Sequence, residues 1–366
     1  MPNAPQPTST LVTGGAGFIG SAVVRELLRR TDGPVVVLDA LTYAGGRDNL
    51  PDDPRVVLVE ADVADPAAVA HAFAAHAPAR VLHLAAESHV DRSIDGPLAF
   101  VRTNVVGTAT LLEAARAHHA GLEGAPRRAF RFVHVSTDEV FGSLGDEGAF
   151  TPASPYDPRS PYSASKAGSD HLARAWQHTF GLPVVVTNCS NNYGPRQHPE
   201  KLIPHMVLRA LAGDPLPVYG RGLNVRDWLH VDDHARGLVD AALHGAPGAT
   251  YLFGGGAERT NLDVVRTLCA LLDDRQPEGA PHEELVAFVT DRPGHDHRYA
   301  IDASSAKAGL GWAPARTFEE GLAETVDWYL AHADWVRRRV GAEGLRRLGT
   351  VGGGASGGAS GAGGAA

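Results

Sequence analysis

The chain has 366 residues, room for two ordinary domains or one large α/β domain with an added lobe, which excludes a single small module. Its 33 Lys+Arg against 42 Asp+Glu leave a net charge of −9, so no basic footprint argues for nucleic acid or an anionic membrane surface as partner. Hydrophobic residues at 43% and charged residues at 20% are globular values, and no apolar run approaches the ~20 residues of a membrane span, so a soluble protein is expected. Met1 to Thr10 lacks the basic and apolar regions of a secretion signal, and Cys189 and Cys269 are too few for a disulfide framework; the expectation is a reducing cytoplasm.

The first predicted unit is strand, turn and helix: Leu11-Val12-Thr13, then Gly14 to Gly20, then an amphipathic stretch from Ser21 to Arg30. Aliphatic, β-branched runs follow at Val35–Asp39, Val56–Glu60, Val81–Leu84, Phe132–Ser136 and Val184–Asn188. Helical patterns over Pro66–His76, Phe100–His119 and Tyr162–Phe180 separate several of them. Strands without polar alternation are buried on both faces, and their alternation with helices predicts an α/β fold, a Rossmann-type doubly wound parallel sheet. Residues 1–190 read as a dinucleotide-binding domain. Beyond Asn188 the chain becomes richer in Pro, Gly and polar residues, with helices near Ile203–Ala212, Val231–Leu243, Leu262–Leu272 and Phe318–His332. This part, 191–345, reads as a smaller substrate-binding lobe, with interleaving into the sheet left open. Residues 352–366 are only Gly, Ala and Ser and are expected to be a disordered tail.

Three motifs carry chemistry. Gly14, Gly17 and Gly20 lie between a strand and a helix, where glycine permits a tight turn and close approach of the backbone to a pyrophosphate, and the helix N-terminus favours negative charge. Asp39 closes the second strand, where a carboxylate accepts both ribose hydroxyls of NAD; no Arg follows it, so NAD is expected over NADP. In Tyr162-Ser163-Ala164-Ser165-Lys166, a helix puts Tyr and Lys on one face, so the ammonium favours the phenolate a neutral-pH base requires. The only lysines are Lys166, Lys201 and Lys307, which makes this spacing rare by chance. Thr137-Asp138-Glu139 ends a predicted strand, the edge at which open α/β sheets bind ligands; two carboxyls in one pocket are driven to different protonation states and supply an acid and a base. The same pair could instead stabilise a helix entry. No His, Cys and carboxylate group has a metal-ligand spacing, so no metal is expected: His118-His119 sits late in a helix and His295-x-His297 in a loop.

With these motifs the chain resembles the extended short-chain dehydrogenase/reductase superfamily and, within it, the dTDP-glucose 4,6-dehydratases. The likeness runs from about Leu11 to Leu330 and includes Asp39 to Gly45, Leu84 to Ser93, Thr103 to Thr108, Ser190 to Pro195, Pro199 to Pro204, Asn224 to Trp228 and Asp291 to Asp296. The Thr-Asp-Glu triplet separates dehydratases from the epimerases and decarboxylases that share the other motifs. Phe141 in place of Tyr, Leu252-Phe253-Gly254-Gly255 in place of Asn-Ile-Gly-Gly, and Arg221 in place of Asp are departures from the family pattern.

The resemblance implies an NAD-dependent lyase acting on a nucleoside diphosphate-sugar, with Thr137, Asp138, Glu139, Tyr162 and Lys166 catalytic. It implies NAD contacts from Gly14, Gly17, Phe18, Ile19, Gly20, Asp39, Thr42, Asp62 and Val63, and from Ala85, Ala86, Ser88, Thr103, Tyr162, Lys166 and Asn192. The sugar nucleotide would meet His89, Thr137, Asn191, Lys201, Leu202 and Tyr219, together with Arg226, Asn261, Asp291 and His295. A homodimer is implied through the long helices at 100–119 and 162–180. A 4-epimerase needs Tyr and Lys but no acid–base pair for water loss, and a silent NAD-binding scaffold needs neither; the intact Asp138, Glu139, Tyr162 and Lys166 argue against both.

Overall fold

A computed structural model describes residues 8–291 and 295–340. The tail at 352–366 and the end of the lobe at 341–345 lie outside the described residues. Twelve strands are present among them: β1 Thr10–Thr13, β2 Val35–Asp39, β3 Val56–Glu60, β4 Arg80–His83, β5 Arg131–Thr137, β6 Val184–Cys189, β7 Asn191–Tyr193, β8 Leu216–Tyr219, β9 Val225–His230, β10 Thr250–Phe253, β11 Glu258–Thr260 and β12 Val286–Val289. Seven form one sheet in the order β10-β6-β5-β4-β1-β2-β3, every neighbouring pair parallel.

The apolar runs explain this sheet. Val35 and Val37 of β2 pack on one face with Val12, Leu82 and Val133, while Val36 and Leu38 pack on the other with Leu11, Val81 and Phe132. Successive residues alternate between two cores, so neither face tolerates polar alternation. The helices Phe18–Arg30 and Val231–His244 cover the first face; Pro66–His76, Thr108–Ala120 and Pro161–Phe180 cover the second. The chain winds outward from β1 through β2 and β3, then returns to β4 on the other side of β1. That reversal makes the carboxyl ends of β1 and β4 the switch point where such sheets bind ligands.

The last strand of the sheet, β10, and the helix before it come from beyond residue 190, so the sequence division at 190 is not a division in space. The lobe has its own core, with Tyr193, Met206, Val218, Trp228, Leu268, Leu322 and Trp335 buried together. The helical stretch expected over 100–119 is present but changes winding: Pro97–Phe100 is α, Val101–Gly107 is a π-helix and Thr108–Ala120 is α again. A π segment inside an α-helix often marks a functional position, and this one carries Thr103 and Asn104.

Candidate active site

The carboxyl ends of β1, β2, β4, β5 and β6 open into one cleft of about 370 Å³. All sixteen residues expected at the cofactor line it, among them Gly14, Asp39, Asp62, Ala85, Thr103 and Asn192. Gly14 has φ +68°, and a Cβ there would stand 2.7 Å from the backbone N of Ala85 across the switch point. A Cβ on Gly20 would lie 2.1 Å from the carbonyl oxygen of Gly14, so the first turn of the helix can sit against the loop only without a side chain. The Phe18–Arg30 helix opens on Gly17 with no side-chain cap, which leaves N–H groups of its first turn for an anionic ligand. Asp39 accepts from Ala16 N and Leu41 N, each at 2.9 Å, which fixes its carboxyl at the end of β2. Burial raises its pKa, with these two bonds working in the opposite direction. These groups fit a dinucleotide: a tight loop for the pyrophosphate, unpaired helix N–H groups and an anchored carboxylate for ribose hydroxyls.

At the other end of the cleft stand Thr137, Asp138, Glu139, Tyr162 and Lys166. Thr137 is the last residue of β5, and its hydroxyl accepts from Glu139 N at 3.3 Å, capping the short 3-10 turn Asp138–Phe141. Ser160 and Ser163 close a capping box that starts the Pro161–Phe180 helix, so Tyr162 lies in its first turn and Lys166 one turn later. Tyr162 and Lys166 are buried, and the Lys166 ammonium donates to Val135 O at 2.8 Å. Burial lowers the Lys166 pKa, opposed by the charge of Asp170. Burial pushes the Tyr162 phenol well up, as do Glu139, Cys189 and Asp138, against a hydrogen bond with Thr137. Asp138, 1% exposed, is driven well above the carboxylate range by burial first, then by the charges of Glu139 and Asp227. This favours its protonated form, beside a second carboxyl on Glu139. Asp138 Oδ2 and Asn191 Oδ1, both on residues of the cleft wall, are buried without a hydrogen-bond partner.

Of the residues expected at the sugar nucleotide, Thr137, Asn191 and Lys201 line the cleft. The others do not, and are placed on neighbouring lobe and loop segments. His89 caps the helix Val90–Asp95, Leu202 opens the helix Leu202–Ala212 and Asn261 opens Asn261–Arg275. Tyr219 reaches Asp91 at 3.5 Å and meets the His295 ring edge-on at 6.1 Å; His295 is bonded to Asp291 at 2.7 Å. The Arg226 guanidinium donates to Asp296 O at 3.0 Å and lies 4.2 Å from the Tyr299 ring centre. The other histidines weighed as metal ligands have ordinary partners: His118 meets Pro78 O at 3.0 Å, His119 meets Arg127 O at 3.3 Å and His297 lies 3.6 Å from Asp146. Phe141 is buried against Phe150 and Tyr156, with ring centres 5.2 and 5.3 Å away, so no hydroxyl is required there.

Sequence reasoning gave no role to Asp227, although its motif was noted. Asp227 is 1% exposed and accepts from Ala257 N at 2.9 Å; burial lifts its pKa to about 6. Gln197, His198 and Glu200 also line the cleft, and Glu200 holds Arg92 at 3.2 Å. Their signal was present beside Lys201, since acidic and aromatic side chains cluster there, but no periodicity distinguished wall from rim.

Comparison with known proteins agrees with this geometry. The family model described as GDP-mannose 4,6 dehydratase matches residues 11–325. The dTDP-glucose 4,6-dehydratase of Neisseria meningitidis is 54% identical over 349 residues, covering 93% of this chain and 98% of that protein. DesIV, the dTDP-glucose 4,6-dehydratase of Streptomyces venezuelae crystallised with NAD and TYD bound, superposes with TM-score 0.83 at 46% identity, over 91% of this chain and all of that one. The Thermus thermophilus UDP-glucose 4-epimerase in complex with NAD superposes with TM-score 0.79 at 32% identity, over 89% of this chain and 100% of that one. The fold is thus shared with epimerases, while sequence identity is higher to the two dehydratases, and the chain belongs to the dTDP-glucose 4,6-dehydratase family.

Proposed function

We propose that the protein converts dTDP-glucose to dTDP-4-keto-6-deoxyglucose with NAD as resident cofactor, a step of deoxysugar nucleotide biosynthesis. The observation that carries this reading is the pairing of Tyr162 and Lys166 with a buried Asp138, its pKa raised, and an adjacent Glu139 in one cleft. NAD held in this cleft would supply the hydride acceptor for oxidation at C4 and the hydride donor for reduction at C6. Gly14, Gly17 and Gly20 would admit its pyrophosphate, Asp39 would hold the adenosine ribose and Lys166 the nicotinamide ribose. Tyr162 accepts the proton of the O4 hydroxyl; its hydrogen bond with Thr137 works against the burial and the carboxylates that raise the phenol's pKa, and the Lys166 ammonium stands one helical turn away. Thr137 orients the same hydroxyl. The resulting ketone acidifies C5–H; Glu139 removes that proton, and Asp138 donates its own to the C6 hydroxyl, which leaves as water. Glu139 returns a proton to C5 as C6 is reduced. Lys201 and Arg226 place cations toward the diphosphate.

The chain's partner is a second copy of itself. Leu98 is 80% exposed on the helical stretch 97–120, with Val101 and Val106 half-exposed, and Phe180 half-exposed ends the Pro161–Phe180 helix. Pairing these helices across a two-fold axis would cover them, and light scattering at micromolar concentration reads it: a monomer overturns the dimer. The cysteines Cys189 and Cys269 are buried free thiols, consistent with a cytoplasmic home.

The activity is tested by incubating the protein separately with dTDP-glucose, UDP-glucose and GDP-mannose and weighing the products. Loss of one water from the thymidine substrate is expected. A product of unchanged mass would assign an epimerase instead.

A further inference from the structure

The wall of the cofactor cleft formed by Thr42, Ala44 and Gly45 is backed by a contact from the far end of the described chain. The helix Ala333–Val340 lies against it. The Trp335 indole N–H donates to Asn49 Oδ1 at 3.0 Å, and Asn49 Nδ2 donates to Ala16 O at 2.8 Å, inside the glycine-rich loop. Both side chains are buried, Asn49 at 2% and Trp335 at 5% exposed, and this donor and acceptor pattern uses both ends of the amide. The Ala16 carbonyl also accepts from Gly46 N at 3.1 Å, and Ala16 N is bonded to Asp39. One turn after Trp335, Arg339 donates to Gly45 O at 2.8 Å and pairs with Asp48, while Arg338 reaches Asp48 at 3.3 Å. A Cβ on Gly46 would collide with the Arg339 guanidinium. The segment 42–49 is therefore held between the glycine-rich loop on one side and the C-terminal helix on the other.

We infer that Trp335 and Asn49 are positioning residues for the cofactor: through them the C-terminal helix keeps this wall against the glycine-rich loop and sets how long NAD stays bound. The inference rests on the NAD reading above. It suits a reaction that must return its hydride within one turnover, since a cofactor lost midway would leave the sugar oxidised.

The test is the NAD dissociation rate of holoenzyme, loaded with NAD, diluted into cofactor-free buffer and sampled through a desalting column with no sugar nucleotide present. Trp335→Phe keeps the ring packing and removes only the donor; Asn49→Ala removes the middle of the chain. Trp312→Phe is the matched control, because Trp312 is equally buried and donates to Asp233 O at 2.9 Å, away from the cleft. Each latch variant should release NAD about tenfold faster, the effect of one lost buried hydrogen bond, with kcat at saturating NAD unchanged. Trp312→Phe should lower Tm without changing release. Wild-type release from the latch variants, or equal acceleration in Trp312→Phe, overturns the inference. If Trp335→Phe does not fold, Asn49→Ala decides alone. Because no sugar is present, failure here leaves the dehydratase reading standing, and a failed product assay leaves the latch standing.

Discussion

The two ends of the cleft are built from different material. The nucleotide end is backbone: Gly14 at φ +68°, a Gly20 that a Cβ would drive into the loop, and an Asp39 whose carboxyl is fixed by two main-chain N–H groups. The reaction end is side chain: Tyr162, Lys166 and Asp138 are each buried, and burial is the first cause of the displacement of all three pKa values. One end selects by shape and close approach, the other by protonation state. Variants at the first should abolish cofactor binding; variants at the second should retain cofactor and lose chemistry.

The largest expected effect follows from the first end. Gly20→Ala forces a methyl to 2.1 Å from the Gly14 carbonyl, so the purified variant should carry no NAD and show no turnover. Full cofactor content would remove the steric argument. Next, Tyr162→Phe should keep its NAD while kcat falls by up to about 10⁴, since a single acid–base group supplies that much at most. A variant that loses its cofactor together with its activity would blur the distinction drawn between the ends. Asp138→Asn retains shape but cannot donate a proton to the C6 oxygen, and product formation should fall about 10²-fold, with sugar-nucleotide affinity by calorimetry little changed.

The smallest effect concerns stability. Burial pushes the Asp227 pKa up to about 6, above the ordinary aspartate value of 3.8, so the folded state binds more protons between those values. Its contribution is fully present below about pH 4 and is lost as pH rises through 6. Asp227→Asn keeps the bond from Ala257 N without titrating, so the Tm advantage of the variant over wild type should grow between pH 4 and pH 7. A pH-independent difference would show that Asp227 titrates normally.

The same contrast explains what the sequence could disclose. Local chemistry was legible: the runs Val35–Asp39 and Val56–Glu60, the glycine spacing and the Tyr-Lys turn all depend on neighbours in the chain, and each occupies its expected element. What depends on distant segments was not. β10 completes the sheet by pairing with β6, and nothing within Thr250–Phe253 identifies that neighbour. The π segment at Val101–Gly107 leaves no mark on hydrophobic period. Asp227 becomes part of the site only because β9 brings it near Asp138, and Asn49 meets Trp335 from 286 positions away. Seven of the residues that family likeness placed at the sugar nucleotide sit outside the cleft wall, on segments whose approach to it is a tertiary property.

Oxidation and elimination are served by separate groups in one pocket, and Glu139→Gln pulls the two steps apart. The substitution keeps size and hydrogen bonding but removes the base for C5, while Tyr162 and Lys166 are intact. Mixed with dTDP-glucose, the variant should build up reduced-cofactor absorbance on the enzyme and release no water. Tyr162→Phe run beside it should give almost no such absorbance. Formation of the 4-keto-6-deoxy product by Glu139→Gln at near the wild-type rate would contradict the account.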